Sequence, residues 1–281
     1  MKSSGFFRNS FFLLLSGIHT LGLFSQDQAN SNLFVPRVGQ AGKDVIWVPT
    51  PAELVDKMLE ITGVTEKDYV FDLGSGDGRT VIAAAKLGAR AVGVEYNPDM
   101  VEISNKKAEE AGVTDRTKFI QADLFEYDLS EATVVMMFLL PEINLKLRHK
   151  LLNLKPGTRI VSNTFTMGDW EPDYEVMTEG NWDSWHTALM WIIPAKVEGK
   201  WNLGTGLLTI LQEYQMIYGS LKVEDKTSII KEGKINGEVI TFNVNGAQYR
   251  GKISGEKTMS GIVASGSGSK DWIATLAESV N

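Results

Sequence analysis

Val70-Phe71-Asp72-Leu73-Gly74-Ser75-Gly76-Asp77-Gly78-Arg79 reads as a buried strand that runs directly into a turn and then a helix. A short apolar run closed by an acid has the pattern of a parallel strand covered on both faces. Three alternating glycines follow, and Thr80-Val81-Ile82-Ala83-Ala84-Ala85-Lys86 supplies the helix. Glycines let a backbone approach a ligand with no Cβ in the way. Such a corner, placed where a parallel sheet reverses its winding, makes a binding crevice.

The glycine spacing separates the ligand classes that use this corner. Dinucleotide folds place G-x-G-x-x-G so that helix N–H groups meet a pyrophosphate, whereas here the spacing is G-x-G-x-G. Asp72 stands two residues before the first glycine and Asp77 within the turn. These carboxylates repel a pyrophosphate but suit an ammonium and a sulfonium. No Gly-Lys-Ser/Thr follows, which excludes a phosphate loop. The D-x-G-x-G-x-G form resembles the first motif of the class I S-adenosylmethionine (SAM) methyltransferases. That resemblance implies that Asp72, Gly74, Ser75, Gly76, Asp77 and Gly78 cradle SAM, with both acids toward its positive end. An NAD-dependent oxidoreductase is the enzyme alternative, disfavoured by the spacing. A non-catalytic SAM- or nucleotide-binding protein of the cell envelope is the alternative from another class.

Two more acids close the strands that follow. Ala91-Val92-Gly93-Val94-Glu95 is a buried strand whose terminal carboxylate can accept both ribose hydroxyls, with Tyr96 and Asn97 beside it. Asn97 caps the next helix, with Pro98 at its first position and Gly112 just past its end. The charges on this helix, Glu102 and Lys106 among them, read as a solvated face. Lys118-Phe119-Ile120-Gln121 is strand three, followed by Ala122-Asp123-Leu124-Phe125. In the methyltransferase pattern Asp123 reaches the adenine amino group, while Leu124 flanks the ring. Upstream, Trp47-Val48-Pro49-Thr50-Pro51-Ala52-Glu53 starts a helix that runs to about Ile61, with Thr50 as N-cap and Glu53 completing a capping box. By resemblance Pro49 and Thr50 also lie over the cofactor.

Ala132 to Leu140 reads as the fourth strand, and a helix starting at Pro141 reaches Leu154. Arg159 to Thr164 is strand five, and Tyr174–Met177 with Thr187–Ile193 close the sheet as an antiparallel pair. The end of strand four lies beside strand one, where class I enzymes commonly keep their catalytic residues; Pro141 and Glu142 are the candidates here. The amino-methylating tetrapeptide Asn/Asp-Pro-Pro-Tyr/Phe is missing, which weakens DNA adenine or glutamine as acceptor.

The run from Val48 to about Trp170 resembles bacterial methyltransferases related to the mitochondrial lysine methyltransferases of the ATP-synthase c subunit. The resemblance rests on Val48-Pro49-Thr50-Pro51, Asp77-Gly78-Arg79, Asp123-Leu124-Phe125, Leu139-Leu140-Pro141 and Met167-Gly168-Asp169-Trp170, and covers under half the chain. It implies a protein lysine as methyl acceptor, with Trp170 either closing the sheet edge or facing the substrate.

The 281 residues are 43% hydrophobic and 22% charged, enough for one large domain or two smaller ones. There is no cysteine, so thiol chemistry is excluded, and the three histidines, His19, His149 and His186, have no ligand spacing. Net charge is -7, which gives no encouragement to nucleic-acid binding. Residues 1–25 stand apart: Lys2 and Arg8 precede an apolar run from Phe11 to Phe24, and small Ser25 precedes polar residues. That layout predicts a secretory signal peptide, with a membrane anchor as the alternative. An exported or membrane-anchored protein conflicts with a cytoplasmic SAM supply; a cytoplasm-facing tether removes the conflict but runs against the placing of the basic residues.

Residues 26–44 read as a linker and 45–196 as the methyltransferase domain: α/β, with a doubly wound, mostly parallel, seven-stranded Rossmann-like sheet. Residues 197–281 read as an antiparallel β module, a meander forming a barrel or half-barrel. Gly233-Lys234-Ile235-Asn236-Gly237-Glu238 recurs there as Gly251-Lys252-Ile253-Ser254-Gly255-Glu256, and Asn236-Gly237 signals a tight hairpin. Its aromatics Tyr214, Tyr218, Phe242, Tyr249 and Trp272 read as core. A fragment from Gln26 to Lys196 is therefore expected to fold and bind SAM.

Overall fold

The computed structural model describes residues 34–179 and 185–278; residues 1–25, read above as a signal peptide or anchor, lie outside them. Seven strands form one mixed sheet: β1 (Tyr69–Leu73), β2 (Arg90–Glu95), β3 (Thr117–Gln121), β4 (Val134–Met137), β5 (Arg159–Asn163), β6 (Tyr174–Met177) and β7 (Thr187–Ile192). Their order is β3-β2-β1-β4-β5-β7-β6, and β7 alone runs against the others. The winding reverses between β1 and β4, so the crevice opens at the carboxyl ends of these strands.

Side-chain alternation fills both faces of the sheet. Val134 and Met136 point to the layer of α1 (Ala52–Thr62), α2 (Arg79–Lys86) and α3 (Pro98–Glu110). Val135 and Met137 point to the layer holding α4 (Pro141–Leu151). All four are buried, as a central parallel strand requires. Strand β4 is shorter than its apolar run, because Phe138-Leu139-Leu140 leave the sheet before α4 begins, and α4 ends at Leu151 rather than Leu154.

Three further details depart from expectation. The N-cap of α1 is Pro51, with no side-chain capping bond, since Thr50 is drawn aside: its carbonyl accepts from Arg79 at 3.0 Å and its hydroxyl from Asn163 at 3.5 Å. The stretch read as linker is folded from Arg37 onward into a small hairpin, in which Gly39 and Trp47 pair and Ala41 bridges Ile46. The charged face of α3 is not wholly solvated, because Lys107 turns inward to Asp77 at 2.6 Å.

The remaining strands are β8 (Gly199–Leu203), β9 (Gly206–Glu213), β10 (Met216–Val223), β11 (Lys226–Ile229), β12 (Lys231–Asn236), β13 (Val239–Val244), β14 (Ala247–Ser254), β15 (Thr258–Ser265) and β16 (Gly268–Glu278). They are antiparallel throughout. Because β10 pairs with both β9 and β12, the sheet closes into a barrel, with β11 attached to the far half of β10. Tight glycine turns make this possible: Gly237 (φ 58°) and Gly255 (φ 63°) turn the two repeated hairpins.

The barrel interior is packed with side chains. Phe242 stacks on Tyr249 at 4.7 Å, and Trp272 meets both edge-on. Two of the aromatics read as core lie elsewhere. Tyr218 is half exposed on the barrel's outside, and Tyr214 sits in the β9–β10 turn, stacked on Trp170 of the first sheet at 5.7 Å. The junction carries further bonds: Ala195 N–H donates to the Gly237 carbonyl at 2.8 Å, Gln215 Nε2 to the Glu171 carbonyl at 2.8 Å, and Lys234 lies 2.9 Å from buried Asp173. Lys196 is therefore not a bare linker between independent bodies. Among the described residues, no helix is long and apolar enough to cross a membrane.

Candidate active site

The loop after β1 is built to lie flat against β2. Gly74 and Ser75 N–H groups both donate to the Val94 carbonyl, at 2.8 and 3.2 Å. Gly74, Gly76 and Gly78 all have positive φ, a region open to glycine without strain. Ser75 packs over Gly93 so closely that a Cβ there would lie 2.5 Å from its hydroxyl oxygen. That hydroxyl is buried and has no hydrogen-bond partner among the described residues. On the other side Trp47 covers Gly76, where a Cβ would lie 2.4 Å from the indole nitrogen.

Each strand-end acid has a distinct setting. Glu95 accepts from the N–H of Gly76 through Oε2 and of Asn97 through Oε1, both at 2.9 Å. This fixes the carboxylate on the cleft wall and leaves each oxygen a free lone pair. Asp72 is buried at the end of β1; burial first, then the nearby charges of Glu95 and Asp77, push its carboxyl up to about 7, against a bond from Thr80. Asp123 accepts from Phe125 N–H at 2.9 Å and from Lys43 Nζ at 2.5 Å. The Lys43 bond leads in holding its carboxyl below the usual range. Lys43 also sits over the Tyr96 ring, 4.7 Å from its centre.

Asp77 is spent within the protein. Arg79 takes both its oxygens at 2.9 Å and Lys107 adds a contact at 2.6 Å. Burial pushes this carboxyl up, but the two cations outweigh it and hold it low. Arg79 also reaches the Thr50 carbonyl, so one side chain ties the glycine loop to the Val48-Pro49-Thr50-Pro51 turn.

Most of the residues expected at the cofactor come together. Pro49, Thr50, Asp72, Gly74, Ser75, Gly76 and Asp77 line one cleft with Glu95, Tyr96, Asn97, Asp123 and Leu124. Counting its open mouth, the cleft measures about 1060 Å³. Gly78 lies behind it, where a Cβ would press on Phe119 and Ser104 at 2.8 Å. Pro141 and Glu142 are not on the cleft wall; they open α4, and Glu142 is exposed. In their place, at the end of β4, the wall carries Phe138 and Leu139. Sequence reasoning passed over Lys43 and Phe138. Lys43 sits in an aperiodic stretch with nothing to single it out, and Phe138 lies inside an apolar run, Ala132 to Leu140, that reads as strand.

A positive-φ glycine loop, an unpartnered serine hydroxyl and acids at three successive strand ends, all on one cleft at the switch point of the sheet, define a class I SAM-dependent methyltransferase. Residues 72–174 match the ANTKMT methyltransferase domain family. A protein-lysine N-methyltransferase of Saccharolobus islandicus is 45% identical over 153 residues, 53% of this chain and 94% of that protein. The lysine N-methyltransferase of the ATP synthase c subunit from Mus musculus is 37% identical over 129 residues, so the chain spans about half of its length, 52%. Among solved structures, an RNA methyltransferase from Salinibacter ruber in complex with S-adenosyl-L-homocysteine is 52% identical, with a TM-score of 0.50 over 53% of this chain and 96% of that one. The chain belongs to the ANTKMT methyltransferase family, and SAM is its cofactor.

Proposed function

We propose that the protein methylates the side-chain amine of a protein lysine. The observation that carries this reading is the character of the cleft at the end of β4: Phe138 and Leu139 form an apolar wall there, with no carboxylate among them. The names of the lysine methyltransferase relatives point the same way. Net charge of -7 disfavours a polyphosphate acceptor.

Bound SAM supplies a methyl carbon on a sulfonium; the acceptor nitrogen forms its bond to that carbon as the carbon–sulfur bond breaks. The chain's own residues align and dry the reactants. In this reading Glu95 takes the ribose hydroxyls on its free lone pairs, Asp123 and Leu124 hold the adenine, and Asp72 faces the amino-acid end, all four lining the one cleft. A lysine must lose its proton before it attacks, and an apolar wall lowers the pKa of an ammonium by withholding water.

The test is transfer of labelled methyl from SAM to lysine-bearing proteins, with the site of label read by mass spectrometry. Label at residues other than lysine would refute the assignment. For residues 1–25 we retain the export or anchor reading, tested by cell fractionation and by sequencing the mature N-terminus.

A further inference from the structure

Three aromatic side chains from neighbouring strands meet outside the end of β4. Phe138 follows β4, Phe165 lies two residues after β5, and Trp185 lies two residues before β7. Phe138 and Phe165 stack with centroids 6.0 Å apart and planes 20° apart; Trp185 stands edge-on to Phe138 at 5.9 Å. Phe138 lines the cofactor cleft, while Trp185 is 39% exposed to solvent. The cluster thus runs from the reacting end of the cleft to the surface.

The backbone that presents Phe165 is strained and firmly held, and that at Trp185 is strained as well. Thr164 (φ 61°) and Trp185 (φ 63°) both occupy the left-handed region, which non-glycine residues seldom enter. Thr164 N–H donates to the Thr187 carbonyl at 2.7 Å, drawing the two ring-bearing turns together. The Phe165 carbonyl accepts from Ser162 Oγ at 2.8 Å and from Nδ2 of buried Asn144 at 3.1 Å. Strain that its surroundings over-determine in this way marks a site where geometry matters.

We propose that Phe138, Phe165 and Trp185 form the entry channel for the acceptor lysine, an inference that rests on the lysine reading above. Aromatic faces attract an alkylammonium through their quadrupoles. The rings also cover the four-carbon stem and strip water from the nitrogen as it nears the methyl group.

The experiment uses the full chain with methyl-labelled SAM and two probes, poly-L-lysine and a mixed-sequence oligoribonucleotide. Wild type is expected to label poly-L-lysine. Phe165→Ala and Trp185→Ala are each expected to raise its KM about five- to tenfold, Phe165→Tyr to stay near wild type, and S-adenosylhomocysteine affinity to stay unchanged in all three. Trp185 is exposed, so its variant carries the test if Phe165→Ala fails to fold. Unchanged KM in folded alanine variants overturns the channel while leaving the lysine reading intact. Label in the oligoribonucleotide alone, or none in poly-L-lysine, overturns both.

Discussion

The indole N–H of Trp170 donates to Gln215 Oε1 at 2.8 Å, and both residues are buried where the barrel meets the first sheet. Gln215 and Tyr214 form the β9–β10 turn, with Tyr214 in the left-handed region at φ 50°. One face of the Trp170 ring is covered by Tyr214, and its carbonyl accepts from Trp191 Nε1 at 2.8 Å. Trp170 therefore closes the sheet edge against the barrel and does not face a substrate. A fragment ending at Lys196 strips this cover and takes Lys234 from buried Asp173. It is expected to be insoluble or far less stable than the whole chain; a soluble fragment with wild-type S-adenosylhomocysteine affinity would show the junction to be dispensable. In the whole chain, Trp170→Phe and Gln215→Leu should each destabilise by about 1–3 kcal/mol, and the double variant by about 1 kcal/mol less than the sum, because one orphaned partner is then removed.

Asp77→Asn should cost stability rather than cofactor contacts. It removes the charge that holds Arg79 and Lys107, and through Arg79 the tie to Thr50. Both cations are more than a third exposed, so solvent screens the loss to about 1–3 kcal/mol at pH 7. The folded-state pKa of Asp77 is depressed, so this stability is present above the ordinary carboxylate value of about 3.9 and is lost as pH falls below it. Denaturant titrations of wild type and variant at neutral and acid pH should show the gap closing on acidification. A gap that persists at acid pH would mean that the ion pairs do not supply it.

Much of the site was legible because it depends on local chemistry. The glycine loop, with acids closing β1 and β2, is written in consecutive residues, and Asn97 caps α3 through Asp99 N–H as its sequence implies. What stayed hidden depends on long-range partners. Asp77 reads in sequence as an acid facing the cofactor, yet it is taken by cations from Arg79 next door and Lys107 thirty residues on. Trp170 finds Gln215 only because the barrel folds back on the sheet. The aromatic cluster draws on three separate loops, and no spacing in the sequence relates Phe138 to Trp185. A barrel and a half-barrel share the same composition; closure turns on β10 pairing with β9 and β12 at once, a matter of register.

Lys43 should act as a latch on the cofactor cleft. Its ammonium takes the carboxylate expected to receive the adenine amino group, and it rests on Tyr96 at the cleft's mouth. Lys43→Met keeps the stem and loses the charge. Stopped-flow binding of S-adenosylhomocysteine should then show both association and dissociation faster, each by up to about fivefold, with a smaller change in Kd. Unchanged rates would show that the hairpin does not hold the cleft shut.

The sharpest test concerns Asp72, whose carboxyl sits near 7 because burial disfavours its charge and Glu95 and Asp77 add repulsion. The folded protein keeps a proton here that the unfolded chain gives up near pH 4, so between about pH 4 and pH 7 this residue makes stability fall as pH rises. A ligand ammonium beside Asp72 reverses the preference, since it favours the carboxylate. SAM affinity should therefore climb between pH 5.5 and about 7, by at most about tenfold per pH unit, and binding in that range should release a proton. Calorimetry in buffers of different ionisation enthalpy measures that release directly. Asp72→Asn should bind SAM and S-adenosylhomocysteine more weakly, release no proton, lose the pH slope, and be relatively more stable at pH 8, where wild type must carry the buried charge. Equal slopes in wild type and variant would mean that the ammonium lies elsewhere and that the cofactor pose is wrong.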